Sequence, residues 1–198
     1  MITKDYVANV KEAFVQSALD KALPENTEVC RCPRCVADMK TLALNGLSPH
    51  YVPLERMKAL SLDQLLKNDE LAYAAITHAT YAAIHRVRSN PRHGEASAGA
   101  MVIHNQRELL VAKLLAEACK EREQLLECRQ CVQDVLAAVL NQIPTSYVST
   151  LKGESFKRAD ELEAKYHTDL LVKMFNAMDA LKHDEHAGAG DWSPSAFT

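Results

Sequence analysis

The stretch Cys30-Arg31-Cys32-Pro33-Arg34-Cys35, followed by Asp38, Leu44-Asn45 and Tyr51-Val52, decides the architecture, because much of it occurs twice. The second occurrence reads Cys128-Arg129-Gln130-Cys131, Asp134, Leu140-Asn141 and Tyr147-Val148. From Cys32 to Cys128 and from Tyr51 to Tyr147 alike, the offset is 96 residues. One ungapped offset shared by all of these positions marks a tandem duplication of a small helical domain, each copy with its own cysteine group.

Composition agrees with an ordinary globular chain: 47% hydrophobic and 25% charged over 198 residues, with a net charge of −3. That balance argues against a generic binder of duplex nucleic acid. No apolar run approaches the ~20 residues needed to span a bilayer, and the start resembles no signal peptide. A cytoplasmic location is expected, where cysteines serve as metal ligands or free thiols rather than disulfides.

Strand signals are nearly absent. Val7, Val10, Phe14, Val15, Ala18 and Leu19 have helical spacing, which predicts a first helix over 5–22, ended by Pro24. Pro33 suits the first turn of a second helix, since its missing N–H would be unpaired there, and Asn45-Gly46 is its stop. An extended piece at Tyr51-Val52-Pro53 leads to Ser61 and Gln64, which have capping-box spacing at the head of a long helix reaching about Val87. Asn90-Pro91-Arg92-His93-Gly94 then breaks the chain. The domains are therefore 1–93 and 104–183, with a linker at 94–103 and a disordered tail at 184–198. The second copy lacks any Gly or Pro between Met101 and Pro144, so a break before Cys128 is not announced. Its last helix is expected over about 156–181. Each copy is small, so a structural metal and packing of one copy on its twin, as an intrachain pseudo-twofold dimer, would both add stability.

Thiolates are soft ligands, and Cys-x-x-Cys at a helix start can set both sulfurs about 2.3 Å from one zinc ion. Copy one offers Cys30, Cys32 and Cys35, with His93 or His85 as candidates for a fourth ligand. Copy two offers Cys128 and Cys131, with Cys119 able to join only if the helix breaks between them. Three other readings stand beside this one: Cys119 as a buried apolar residue, a redox pair, and cysteines left over after metal loss in copy two.

The combination Cys-x-Cys-x-x-Cys, Asp38, Leu42-Ala43-Leu44-Asn45 and Ser48-Pro49-x-Tyr51-Val52 resembles the late competence development protein ComFB family. Copy two resembles it more weakly, with Leu126 in place of the first cysteine and its proline shifted to Pro144. The resemblance implies an all-α fold, often dimeric, with zinc held by cysteines. It also implies a regulatory rather than enzymatic role linked to competence, type IV pili and motility, and in some members reception of c-di-GMP or c-di-AMP. A cyclic dinucleotide calls for guanidinium forks and stacking surfaces, and a pseudo-twofold protein suits a twofold ligand at the interface between copies. Arg86, Arg88 and Arg92 form the densest basic cluster of copy one. Tyr51 and Tyr147 are candidates to stack on purines, and Asn45 and Asn141 to bond a base edge or phosphate. The plainer readings are that the asparagines end helices and the tyrosines pack against them. The alternative function is a ligand-free, zinc-stapled adaptor for a protein partner in competence or pilus control, either monomeric or a homodimer.

Overall fold

In the computed structural model, the described residues are 2–59, 70–91, 103–122, 127–149 and 164–181, with residues 61, 64 and 125. The chain is predominantly helical and carries two short antiparallel ribbons.

Copy one begins with a 3-10 turn, Ile2–Asp5, and a strand β1, Val7–Asn9, where a helix from residue 5 was expected. Helix α1 spans Val10–Glu25, with Pro24 inside its last turn. Asn9 starts it, since its side-chain oxygen accepts the Lys11 N–H at 3.2 Å. Helix α2 spans Pro33–Asn45, with Cys32 as its cap and Pro33 in the first turn, as expected. Strand β2, Tyr51–Pro53, pairs antiparallel with β1, Asn9 opposite Tyr51. A short helix α3, Leu54–Ala59, follows. The Ser61–Gln64 capping box is present: the Ser61 N–H donates to Gln64 Oε1 at 2.8 Å, and the Gln64 N–H to Ser61 Oγ at 3.3 Å. Helix α4, Glu70–Ser89, packs against α1 and α2.

Copy two repeats this order. Strand β3 is His104–Asn105, α5 is Gln106–Ala118, α6 is Arg129–Leu140, β4 is Tyr147–Val148 and α7 is Ala164–Asp179. Strand β3 pairs with β4, Asn105 opposite Tyr147. The break before Cys128 that the sequence left unannounced does occur: α5 ends at Ala118 and a 3-10 turn occupies Cys119–Glu121. Helix α7 packs on α5 and α6 as α4 packs on α1 and α2. Among the described residues no helix is long and apolar enough to cross a membrane. The linker residues 94–102 and the tail 184–198 lie outside the described residues, as does the start expected for the last helix.

Each hydrophobic core takes in residues of the other copy: Tyr6, Val7 and Tyr51 in the core of copy two, and Tyr147 in the core of copy one. Tyr51, from copy one, packs in the cluster of Leu114, Leu115, Leu136 and Leu140. Tyr147, from copy two, packs in the cluster of Val10, Leu19, Met39 and Leu44.

Candidate functional site

Cys30, Cys32 and Cys35 come together, their sulfurs all within 4.8 Å of one another. The start of α2 accounts for this. Cys32 Sγ accepts the Cys35 N–H and Cys30 Sγ accepts the Cys32 N–H, each at 3.5 Å. The Arg31 guanidinium anchors the loop by donating to the Leu23 carbonyl at 2.7 Å. Cys35 is fully buried while Cys30 and Cys32 are half-buried. Burial, then the neighbouring thiols, push the Cys35 thiol up to about 12. A bound cation would reverse that preference and hold the sulfurs as thiolates. Two sulfurs on one zinc ion, each ~2.3 Å from it, are at most ~4.6 Å apart. The spacing and the soft donor set therefore fit a thiophilic ion with only small movement.

No fourth His, Cys, Asp or Glu belongs to this group among the described residues, so His85 does not join it. His93 lies outside them.

Copy two differs. Cys128 caps α6 in the same way, its sulfur accepting the Cys131 N–H at 3.2 Å. Here, however, Cys128 and Cys131 are joined as a disulfide, their Cα atoms 5.2 Å apart. The expected metal set Cys119, Cys128 and Cys131 is not assembled. Cys119 is fully buried in the apolar core, which pushes its thiol up to about 11. It packs as a small hydrophobe.

Four of the seven residues expected to touch a nucleotide, Asn45, Tyr51, Asn141 and Tyr147, are committed elsewhere. The Asn45 amide donates to the Tyr147 carbonyl at 2.9 Å and accepts the Tyr147 N–H at 2.7 Å. Asn141 does the same for Tyr51, at 2.9 Å and 2.6 Å. Tyr51 and Tyr147 are 3% and 2% exposed, too deep to stack on a purine. The Tyr147 hydroxyl donates to Glu12 at 2.7 Å and accepts from the Asn9 amide at 3.0 Å. The Tyr51 hydroxyl donates to Glu108 at 2.7 Å and accepts from the Asn105 amide at 2.8 Å. Every partner of one tyrosine lies 96 residues from the matching partner of the other. Sequence reading missed Asn9, Glu12, Asn105 and Glu108. The signal was the same offset, carried further toward the N-terminus of each copy.

Arg86 and Arg88 are exposed at the end of α4, and Arg88 pairs with Glu28 at 3.5 Å. Arg92 lies outside the described residues. Two further arginines, balanced by two carboxylates, meet at the seam between copies. There a cavity of about 440 Å³ is lined by Pro53, Glu55 and Arg56 of copy one and Arg129, Gln133 and Asp134 of copy two. The Arg129 guanidinium donates to the Asp5 carbonyl at 2.7 Å and to Glu55 at 3.3 Å, and lies 4.9 Å from the Tyr6 ring centre. Gln133 also donates to Glu55. Burial alone would raise the Glu55 pKa, but its hydrogen bonds with backbone, Gln133 and Arg129 outweigh that and lower it. A second cavity, about 370 Å³, is bordered by Glu12 and Glu108, facing Lys4 and Lys40. Both cavities carry two cations and two carboxylates, but only the seam cavity offers guanidinium forks.

Residues 8–91 and, separately, 104–185 match the family model described as late competence development protein ComFB. The chain is also similar to the competence protein ComFB of Bacillus subtilis (strain 168). They are 29% identical over 68 residues, which is 34% of this chain and 69% of that protein. No solved structure matches.

Proposed function

The chain belongs to the late competence development protein ComFB family, matched once by each half, and we propose that it is a non-enzymatic cytoplasmic regulator holding zinc on Cys30, Cys32 and Cys35. Its halves form an intrachain pseudo-twofold pair, a reading supported by the reciprocal tyrosine contacts. The zinc supplies a structural crosslink: three thiolates tie the α1–α2 loop to the first turn of α2. The protein's ligand is a cyclic dinucleotide, c-di-GMP or c-di-AMP, and its output lies in competence, type IV pilus or motility control.

The observation that carries the ligand reading is the seam cavity, with Arg56 from one copy and Arg129 from the other. Guanidinium forks suit phosphate, and the carboxylates of Glu55 and Asp134 suit the N–H edge of a guanine. Calorimetry of the full chain with each dinucleotide tests it. Binding is expected, weakened about tenfold or more in Arg56→Ala, the loss of one charge-assisted bond. Absence of heat with both ligands would remove this reading and leave the zinc-stapled adaptor. That alternative is favoured by one observation, the uncharged outward face of α4.

A further inference from the structure

Two Cys-x-x-Cys pairs stand at matching helix starts, Cys32 and Cys35 on α2, Cys128 and Cys131 on α6, with the same sulfur-to-N–H cap. Their sulfurs differ in state. Cys30, Cys32 and Cys35 are not joined although their sulfurs lie within 4.8 Å of one another, whereas Cys128 and Cys131 form a disulfide. The zinc proposed above gives the first group a task and leaves the second without one. A purely structural role suits the disulfide poorly. Its two cysteines are only 3 residues apart in sequence, and a crosslink constrains the unfolded chain least where the loop it closes is shortest.

The two sulfurs of the bond are unequally placed. Cys131 is 0% exposed, in the core with Leu136 and Leu140, while Cys128 is half-buried at the rim of that core, with Glu127 before it and Gln130 after it both exposed. An incoming thiol can therefore reach one sulfur and not the other. The Cys131 N–H, 3.2 Å from Cys128 Sγ, is in position to hold a thiolate there once the bond is broken. We propose that Cys128–Cys131 is a thiol–disulfide exchange site for low-molecular-weight thiols, with Cys128 the sulfur attacked and Cys131 the resolving sulfur. In reduction, an external thiolate attacks Cys128 Sγ, forming a mixed disulfide, and Cys131 leaves as a thiolate that takes a proton. A second external thiolate attacks the sulfur of the bound thiol and releases Cys128, so two external thiols become one disulfide and two electrons pass to the pair. Oxidation by a low-molecular-weight disulfide runs these steps in reverse. The same start of α6 carries Arg129 and Gln133, which donate to Glu55 of copy one, so the exchange takes place on an element that joins the copies. It depends neither on the zinc nor on the ligand assigned to the seam.

Peptide-level mass spectrometry of the full chain tests it, with glutathione as the probe. In the parent, the pair is expected to pass from disulfide to dithiol as the buffer goes from oxidised to reduced glutathione, without denaturant. The Cys131→Ser chain, deprived of its resolving sulfur, is expected to accumulate glutathione on Cys128. Cys128→Ser keeps a good helix cap and leaves only the buried sulfur, which should gain at least about tenfold less. A bond that survives reduced glutathione, or a pair that never closes in the oxidised buffer, would overturn the inference. So would equal modification of the two variants, or more on Cys131. The parent titration decides whether or not either variant folds.

Discussion

Asn45 and Asn141 each use one side-chain amide as a rung of β-ladder, pairing both backbone groups of a tyrosine in the other copy. Alanine at either site strips a peptide N–H and C=O of their partners at once, and the backbone groups of a buried residue are costly to leave unmet. Each substitution is expected to lower unfolding free energy by about 1–3 kcal/mol in urea titration, and equal loss at both sites would reflect the shared geometry. A second residue-scale test concerns Glu108, whose pKa is raised, chiefly by burial. The folded state then holds the proton more tightly than the unfolded chain, whose Glu titrates near 4.5. The contribution is therefore full below about 4.5 and lost as pH climbs through the higher folded value. Relative to Glu108→Gln, which cannot titrate, the parent should lose stability as pH rises across that window. A parent that instead gained on the variant with rising pH would show that the sign is wrong.

At the scale of elements, α2 and α6 begin alike yet carry different chemistry. In both, a cysteine sulfur caps the helix by accepting the N–H three residues on. Only the α2 loop adds a third sulfur, from Cys30. Serine is itself a good helix cap, so Cys32→Ser should preserve α2 while abolishing zinc retention by mass spectrometry under reducing conditions. Cys119→Ser, in the core of copy two and outside the three-thiol group, should leave the zinc content unchanged. If the two variants retained equal zinc, the three-thiol site would be misassigned. Much of this level could be read in the sequence: the 96-residue offset, Pro33 in the first turn of α2, and both bonds of the Ser61–Gln64 box. Strands β1 and β3 could not, because two or three residues are too few to show alternation. The early start expected for α1 failed for the same reason. The pairing of Cys128 with Cys131, and the exclusion of Cys119, depend on where the 3-10 turn ends α5, a break no Gly or Pro marks.

For the molecule as a whole, the sequence held the correct tyrosines and asparagines but not their destination. Tyr51 and Tyr147 could be read either as stacking platforms or as packed against helices, and both are packed. The copy they pack into was not legible, because nothing in a one-dimensional repeat says that a residue's partners belong to the other copy. The exchange makes each core incomplete without its twin, so the two halves should melt in a single cooperative transition. The seam cavity exists only if the halves are joined in this way. Tyr147→Ala tests the joining most directly, because Tyr147 belongs to copy two yet fills the core of copy one. A large buried aromatic cut to alanine costs about 3–5 kcal/mol. Hydrogen exchange followed along the full chain should then show faster exchange in α1 and α2 of copy one, as well as in β4. Unchanged protection of α1 and α2, with loss confined to copy two, would contradict the exchange of tyrosines and the single body built on it.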